Sequence, residues 1–289
     1  MSSNDVWAAG WTRDSQNVLR GLVLHWDGST WPKLKLPDPT DKIFEAIGAD
    51  SADDVWVTGS YQGQGIAERW DGTHWTAMAL PNPGVAANTI GIAAVGPKDV
   101  WAVGVYEDSD EFFLHTLTEH WDGSSWTVVN SPDRDPKSNE SLGVAATATD
   151  DVWTVGFWGG DGGGQVAAAE PYNQRQFTLT EHWDGTTWSH VAMRRAPSPA
   201  ALNSVGVVSP NNVWAVGYQS GAHDPTNLVE HWNGARWKIV PSPAASQTGY
   251  LLSVDGHSAS DAWAVGYSVT NGFAQTWIQH WDGKNWSES

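Results

Sequence analysis

The chain has no cysteine among its 289 residues, so it has no disulfide framework, no thiolate nucleophile and no cysteine-ligated metal. Basic residues are also few: 15 Lys and Arg stand against 33 Asp and Glu, giving a formal net charge of −18. Nucleic-acid binding draws most of its affinity from Lys and Arg contacts with phosphates. The charge therefore argues against a nucleic-acid partner and, for the same reason, against binding to an anionic membrane surface.

Long apolar runs are missing as well. No stretch of about 18 apolar residues is present to span a bilayer, so membrane insertion is not expected. The first ten residues, MSSNDVWAAG, lack the basic-then-apolar pattern of a signal peptide, and none is expected in this chain. The location in the cell stays open, with an extracellular one expected if the segment comes from a longer exported protein.

Tryptophan, by contrast, is abundant: the chain has 21, and 18 of them fall in two phrases that alternate six times. The first phrase is Asp-Val-Trp or a close variant, with its tryptophan at Trp7, Trp56, Trp101, Trp153, Trp214 and Trp263. The second is Trp-Asp-Gly-x-x-Trp or its Asn form, opening at Trp26, Trp70, Trp121, Trp183, Trp232 and Trp281 and closing at Trp31, Trp75, Trp126, Trp188, Trp237 and Trp286. The mean period of about 51 residues indicates a six-fold internal repeat.

One repeat predicts four strands, as residues 202–241 illustrate. Residues 202–208 form the first predicted strand, and a turn-forming Ser-Pro-Asn-Asn separates it from a second strand over 213–218, which is rich in β-branched and aromatic residues. A variable loop precedes a third strand over 227–232, and a fourth covers 236–240. Asn233-Gly234 between them predicts a two-residue hairpin in which both turn positions have positive φ.

Four antiparallel strands in about 50 residues, repeated six times, predict an all-β fold, a six-bladed β-propeller. We expect one domain over 1–289, with repeat units at approximately 1–36, 37–81, 82–132, 133–195, 196–243 and 244–289. The first unit begins at its second strand, so 23 strands are expected. Both ends look cut, so either the ring closes imperfectly or the residues come from a longer chain, and we favour the second.

The order of first strand, Val-Trp-Ala-Val-Gly, a strand ending in Asp-Gly, and Trp resembles bacterial propellers built from Asp-box and photosystem-II-assembly-type repeats. The Asp-box has one residue between Asp and Gly, whereas here the two are adjacent. The resemblance covers nearly the whole chain and implies that the first strand of each blade is innermost, so the first blade would lack its innermost strand. It also implies that the loop between the second and third strands shares one face with the link between blades.

The repeated positions are interpreted as scaffold. Asp is replaced by Asn212 and Asn233 within the phrases, so geometry rather than charge is required there. The 18 phrase tryptophans are expected to pack between blades. A histidine precedes the second phrase in five repeats: His25, His120, His182, His231 and His280. Arg69 replaces it once, which indicates a hydrogen-bond donor to a neighbouring strand rather than a metal ligand. Glu119, Glu181 and Glu230, one residue earlier, are expected to behave in the same way.

Function is expected where the repeats differ, on loops that a rigid scaffold holds in place. Each repeat has an aromatic residue just after its second strand: Trp11, Tyr61, Tyr106, Trp158, Tyr218 and Tyr267. A ring of partly exposed aromatics suits carbohydrate, because sugar C–H faces stack on aromatic rings while hydroxyls bond to polar side chains. The alternative is that these rings only close the blade edges.

Three variable loops add further candidates. The fourth repeat has a long insertion, 157–177, whose glycine run around Asp161 predicts a mobile flap and whose Tyr172 is able to contact a ligand. The fifth loop carries His223 and Asp224, an acid and base candidate. The acidic residues 107–111 are interpreted as a solvated loop, with Ca²⁺ binding as the alternative. No other cofactor or metal is expected.

These observations predict non-catalytic binding of a glycan or polysaccharide on the variable-loop face. One alternative is a polysaccharide lyase or glycoside hydrolase with a single site at the channel mouth, using carboxylates such as Asp161, Glu170, Glu107 or Asp224. Another is a protein-interaction scaffold. Several equivalent sites would favour a carbohydrate-binding protein, whereas a single site would favour an enzyme. Acidic sugars would need a basic patch, and Arg194-Arg195 is the only basic pair visible in the sequence.

Overall fold

The structure is a computed structural model that describes residues 5–109, 113–160, 176–193, 196–220, 224–245 and 247–289. These ranges contain strands, turns and bends and no helix, so none of them offers a helix able to cross a membrane. Within these ranges, 22 strands form six antiparallel sheets, five of four strands and one of two. The described residues group into two compact units.

The first unit comprises the described residues of Met1–Phe112 and Thr116–Asn130. Its first sheet pairs β1 (Val6–Arg13) with β2 (Leu19–Trp26). The second sheet contains β3 (Lys42–Ser51), β4 (Asp54–Tyr61), β5 (Gln64–Trp70) and β6 (Trp75–Ala79). The third contains β7 (Ala86–Gly96), β8 (Asp99–Glu107), β9 (Leu114–Trp121) and β10 (Trp126–Val128).

The second unit comprises Phe113–His115 and the described residues of Ser131–Ser289. The fourth sheet contains β11 (Asn139–Ala148), β12 (Asp151–Trp158), β13 (Phe177–Trp183) and β14 (Trp188–His190). The fifth contains β15 (Ala200–Ser209), β16 (Asn212–Gln219), β17 (Thr226–Trp232) and β18 (Trp237–Ile239). The sixth contains β19 (Thr248–Ser258), β20 (Asp261–Thr270), β21 (Phe273–Trp281) and β22 (Trp286–Glu288).

The four-strand repeat predicted from the sequence is confirmed. In the fifth sheet β15, β16, β17 and β18 follow the four predicted strands to within two residues at each end, and neighbours in sequence pair antiparallel. Gly217 of the Val-Trp-Ala-Val-Gly segment lies where any Cβ would collide with the carbonyl oxygen of Ala201 on the paired strand. Only glycine permits that approach of the two backbones.

The first sheet differs from the prediction, which gave 23 strands and only one strand missing from the first blade. Within the described residues it has two strands, and its fourth strand is reduced to an isolated bridge between Leu24 and Lys33. The reason is Pro32, which follows the closing Trp31. Its carbonyl accepts the His25 N–H at 3.3 Å, but proline has no N–H to return to the ladder.

The predicted two-residue hairpin is wrong. In the fifth sheet β17 ends at Trp232 and β18 begins at Trp237, and these two residues pair. A loop of four residues therefore joins the two strands. Of the first two loop residues only Gly234 has a positive φ, 86°. The Asn233 side-chain oxygen instead accepts the N–H groups of Ala235 and Arg236. Asp122 accepts equivalent hydrogen bonds in the third sheet. Together they lower the pKa of its carboxyl to about 2, and the bond from the Ser124 side chain has the largest effect.

Within each unit, neighbouring sheets pack through the repeated tryptophans, as predicted. We call the tryptophan of the first phrase the knob and the two tryptophans of the second phrase the pair. The knob of one sheet contacts the pair of the next: Trp7 with Trp70 and Trp75, Trp56 with Trp121 and Trp126, Trp153 with Trp232 and Trp237, and Trp214 with Trp281 and Trp286. The knobs Trp56, Trp153 and Trp214 are fully buried.

The predicted donor role of the histidines is confirmed. His182 Nε2 lies 2.7 Å from Asp151 Oδ1 on the adjacent strand. His231 Nε2 lies 2.7 Å from Asn212 Oδ1, so an amide oxygen serves as well as a carboxylate. Arg69 Nε donates to Asp54 Oδ1 at 2.7 Å in the same place. His25, His120 and His280 contact Asp5, Asp99 and Asp261 in the same way. These pairs belong to the scaffold.

The preceding glutamates also belong to the scaffold, but they do not share one kind of contact: Glu181 Oε1 lies 3.2 Å from His190 Nδ1 on the adjacent strand. Being one residue earlier in the strand, their side chains leave the opposite face of the sheet and enter the interior. Within the described part of the chain, neither carboxylate oxygen of Glu230 has a hydrogen-bond partner. Burial raises the pKa of Glu119, Glu181 and Glu230 to about 8. These carboxyls are therefore largely protonated at neutral pH.

Candidate functional site

The register of each sheet brings the variable connections to one end, as expected. In the fourth sheet Asn139, at the start of β11, pairs with Trp158, at the end of β12, and Trp158 pairs in turn with Phe177, at the start of β13. The link that enters the sheet and the loop between its second and third strands therefore meet at this end. The Asp-Gly turns lie at the opposite end.

The six predicted aromatic residues lie in the last residues of their second strands but do not occupy one equivalent position. Trp11, Tyr218 and Tyr267 directly follow the repeated glycine, whereas Tyr61, Tyr106 and Trp158 come one residue later. Successive residues of a strand point to opposite faces of the sheet. Three rings therefore leave one face of their sheets and three leave the other.

Two of the predicted aromatics pack against a ring that the repeat pattern did not indicate. Tyr250, on β19, lies 5.2 Å from Tyr218 and 5.1 Å from Tyr267, measured between ring centroids. The Tyr218 hydroxyl donates to Gln176 Oε1 at 2.8 Å. Tyr250 is buried, and the other two are half-buried. This trio joins the fifth and sixth sheets, which is the edge-packing role that was considered as the alternative.

Trp158 lines a groove of about 520 Å³ in the second unit. Its walls are Asp135, Pro136, Lys137, Trp158, Gly159, Gly160 and Phe177. The rings of Trp158 and Phe177 lie 4.7 Å apart between centroids and are tilted by 37°. We refer to this feature as the Trp158 groove. It combines an aromatic surface with charged groups from the link that enters the fourth sheet.

The link is held in place by Asn139, whose side chain is buried. Asn139 Oδ1 accepts the backbone N–H groups of Arg134 and Asp135 at 2.8 and 2.9 Å. The Asp135 carboxylate in turn accepts the N–H of Lys137 at 2.8 Å. Gly159 N–H donates to the Ser138 carbonyl at 2.8 Å, which fastens the end of β12 to the same link. The groove is thus built on fixed backbone.

Two cations flank the groove. The Arg134 guanidinium lies 5.4 Å from the centre of the Trp158 ring, and Lys137 Nζ lies 5.8 Å from the centre of the Phe113 ring. Both distances are within the range of cation–π interaction. Burial, followed by the charge of Arg134, lowers the pKa of His190. Both cations lie beside the aromatic surface, on a link that also carries the carboxylates of Asp133 and Asp135.

The other predicted residues are placed elsewhere or lie outside the described residues. Trp11 is 48% exposed, with the Arg13 guanidinium 6.0 Å from its ring centre. Tyr61 and Tyr106 are half-buried, and Asp224 is exposed. Outside the described residues lie Asp161, Tyr172, Glu170, the basic pair Arg194-Arg195, His223, Asp110 and Glu111. Among the described residues, no three His, Cys, Asp or Glu side chains are placed to hold a metal ion.

Sequence reasoning missed Arg134, Lys137, Asn139 and Phe177 as site residues. All except Phe177 belong to the link or to the residue that ends it, and none belongs to a repeated phrase. The available signal was position: the link between blades was expected on the same face as the aromatic residues, so its cations were candidates for contact with Trp158.

The repeated antiparallel sheets make this chain an all-β repeat protein. Known structures with a similar fold assign it to the β-propeller class. The chain is similar to YCF48 from Cyanidioschyzon merolae, with a TM-score of 0.56 and 15% identity over 98% of this chain and 88% of that one. It is similar to YCF48 bound to D1 peptide, with a TM-score of 0.55 and 13% identity over 99% of this chain and 84% of that one.

A third similar structure is a polysaccharide lyase, ulvan lyase, bound to -[GlcA(1-4)Rha3S]-. Its TM-score is 0.55, with 9% identity over 100% of this chain and 81% of that one. No protein-family model matches the sequence, and no curated protein matches it. At these identities the likeness establishes the fold alone.

Proposed function

We propose that this protein binds a glycan, without cleaving it, in the Trp158 groove. The observation that carries the proposal is the pairing of Trp158 and Phe177 at the variable end of the fourth sheet, beside two cations. Aromatic rings supply the apolar contact for sugar C–H faces, and the few polar groups around them fix orientation.

The charges favour an anionic glycan, one that carries carboxylate or sulfate groups. Arg134 and Lys137 have no ion-pair partner among the described residues and make only cation–π contacts with their charged ends. The one carboxylate of the groove wall, Asp135, is engaged with the N–H groups of Lys137 and Ser138. An arginine presents a planar fork that matches carboxylate and sulfate oxygens.

Two alternative functions are each supported by a specific observation. A similar structure holds a peptide, which supports a protein-interaction role for this fold. Another is a lyase bound to a sugar, which supports an enzyme role for this fold. The described groove contains stacking and charged groups, and these support binding more directly than bond cleavage.

The proposal is tested by applying the protein to an array of neutral, uronic-acid and sulfated polysaccharides, with Ca²⁺ and with a chelator in separate runs. We expect binding to acidic polysaccharides that weakens as salt is raised, because partly exposed charges are screened. Arg134→Gln and Lys137→Gln variants are expected to lose acidic polysaccharides selectively.

The same polysaccharides are incubated with the protein and examined for shortened chains. Shortened chains would replace the binding proposal with the lyase or hydrolase alternative. Absence of binding across the array would remove the glycan proposal and direct the search to peptides. Binding that disappears with the chelator would restore the calcium alternative.

A further inference from the structure

In the second unit, the link that enters the fourth sheet lies between two other segments of backbone. The Leu114 N–H donates to the Lys137 carbonyl oxygen at 2.9 Å, and Leu114 forms a parallel bridge with Ser138. On the other side of the link, the Ser138 carbonyl oxygen accepts the Gly159 N–H at 2.8 Å. Hydrogen-bonded segments of this kind lie about 5 Å apart, so the backbones at Leu114 and Gly159 are separated by about 10 Å. The start of β9, the link and the end of β12 therefore run side by side.

Each of the two outer segments carries an aromatic ring beside the link. One ring belongs to Phe113, directly before β9, and the other to Trp158, at the end of β12. The link supplies a cation to each: Lys137 Nζ lies 5.8 Å from the centre of the Phe113 ring, and the Arg134 guanidinium lies 5.4 Å from that of Trp158. Lys137 also lines the Trp158 groove. The groove and the surroundings of the Phe113 ring therefore share a side chain.

Polar groups lie on the Phe113 side of the link as well. His115 Nδ1 lies 2.5 Å from Asp133 Oδ2, and both side chains are partly exposed. His115 follows Phe113 by two residues, the spacing at which side chains of extended backbone share one side. Imidazole and carboxylate groups are hydrogen-bonding partners for sugar hydroxyls. An aromatic ring, a cation and polar groups thus occur on both sides of the link.

We propose that the Trp158 groove is one part of a longer site, which binds an extended acidic oligosaccharide across the link. One sugar stacks on Trp158 and Phe177, and a later sugar of the same chain stacks on Phe113 beside Lys137. The proposal rests on glycan binding in the Trp158 groove and adds to it a second subsite and a minimum chain length. A sugar ring is about as large as a phenyl ring, so it stacks on one of two aromatic surfaces whose backbones lie about 10 Å apart, and only a chain reaches both.

Calorimetric titration with oligosaccharides of graded length tests this proposal. Two series serve as probes, one cut from a uronic-acid polysaccharide and one from a sulfated polysaccharide, each separated by length from the disaccharide to the octasaccharide. We expect the wild-type affinity to rise by about tenfold at the length at which a chain reaches Phe113, the effect of one additional stacking contact.

Variants at Phe113 separate stacking on a sugar from packing within the protein. Phe113→Leu keeps the apolar bulk and removes the ring, so the rise in affinity with length is expected to disappear while short oligosaccharides bind as they do to the wild type. Phe113→Tyr keeps the ring and is expected to keep the rise. Trp158→Ala is expected to weaken binding at every length. Phe273→Leu, the same loss of a ring at a residue that is 73% exposed on the sixth sheet, is expected to bind like the wild type. Near-ultraviolet circular dichroism checks the folding of each variant.

A wild-type affinity that does not rise with length would overturn this proposal and leave the Trp158 groove as a single subsite. A rise that persists in Phe113→Leu would overturn it as well, because the longer chain would then be held by other residues. Unchanged binding in Trp158→Ala, or no binding of either series, would instead remove glycan binding in the groove and the second subsite with it.

Discussion

The indole of Trp214 stacks on the imidazole of His231, with ring centroids 4.3 Å apart. The imidazole is itself fixed by the contact of its Nε2 with Asn212 Oδ1 at 2.7 Å. On its other side Trp214 meets Trp281 and Trp286 of the next sheet. The two repeated phrases thus act together. The histidine before the second phrase orients the knob, and the knob packs against the neighbouring sheet.

Removing a knob is expected to be costly. Trp214→Ala should lower the free energy of unfolding by about 3–5 kcal/mol, the usual loss for a buried tryptophan, because a cavity is left between two sheets. Urea unfolding followed by circular dichroism measures it. The control is Trp11→Ala at an exposed ring, where a change within about 0.5 kcal/mol is expected. Equal losses in the two variants would contradict the assigned role of the knob.

The second sheet offers a test of the donor position. Arg69→His should keep most of the stability, because five other sheets use histidine there, whereas Arg69→Ala leaves the buried Asp54 carboxylate without its donor. Such a loss costs about 1–3 kcal/mol. Thermal unfolding of the two variants gives the comparison. If Arg69→His is as unstable as Arg69→Ala, the position requires the guanidinium itself, which also stacks over Trp56.

Buried glutamates predict that stability falls as pH rises. Burial raises the pKa of Glu230 from 4.5 to about 8, so the folded state holds a proton that the unfolded chain releases. The resulting stabilisation is fully present below the unfolded value and is lost as pH rises through the folded value. Glu119 and Glu181 act in the same direction.

Glu230→Gln should therefore be more stable than the wild type at about pH 8 and should show a smaller loss between about pH 5 and 8. Glutamine fits the position, since the sixth sheet has Gln279 there. The midpoint of urea unfolding, measured across this pH range, is the readout. Asp122→Asn is the control, because the pKa of the Asp122 carboxyl is lowered to about 2 and the group is ionised throughout. A parallel pH dependence of Glu230→Gln and wild type would be inconsistent with a buried neutral acid.

Much of the scaffold could be predicted from the sequence because each feature recurs. Replacement of Asp by Asn212, and of histidine by Arg69, distinguishes a geometric requirement from a requirement for charge by comparison of the repeats with one another. Features that occur once could not be predicted in that way. Pro32 follows only the first closing tryptophan, and its missing N–H removes a strand.

The Trp158 groove could not be predicted from the sequence, because it too depends on a feature that occurs once. Its position depends on Asn139 holding the turn at Arg134 and Asp135, a contact between a buried side chain and the backbone of a non-repeated link. No periodicity marks such a contact. The aromatic residues were found by their recurrence, but a shift of one residue placed them on different faces, and a pattern of residue types does not show that difference.

The central claim, glycan binding in the Trp158 groove, is tested most directly by calorimetric titration with an oligosaccharide of the polysaccharide that binds best on the array. The account predicts one site per chain and a loss of affinity of about tenfold or more in Trp158→Ala, with Trp11→Ala unchanged. Equal affinity in Trp158→Ala and the wild type, in a variant that remains folded, would contradict it.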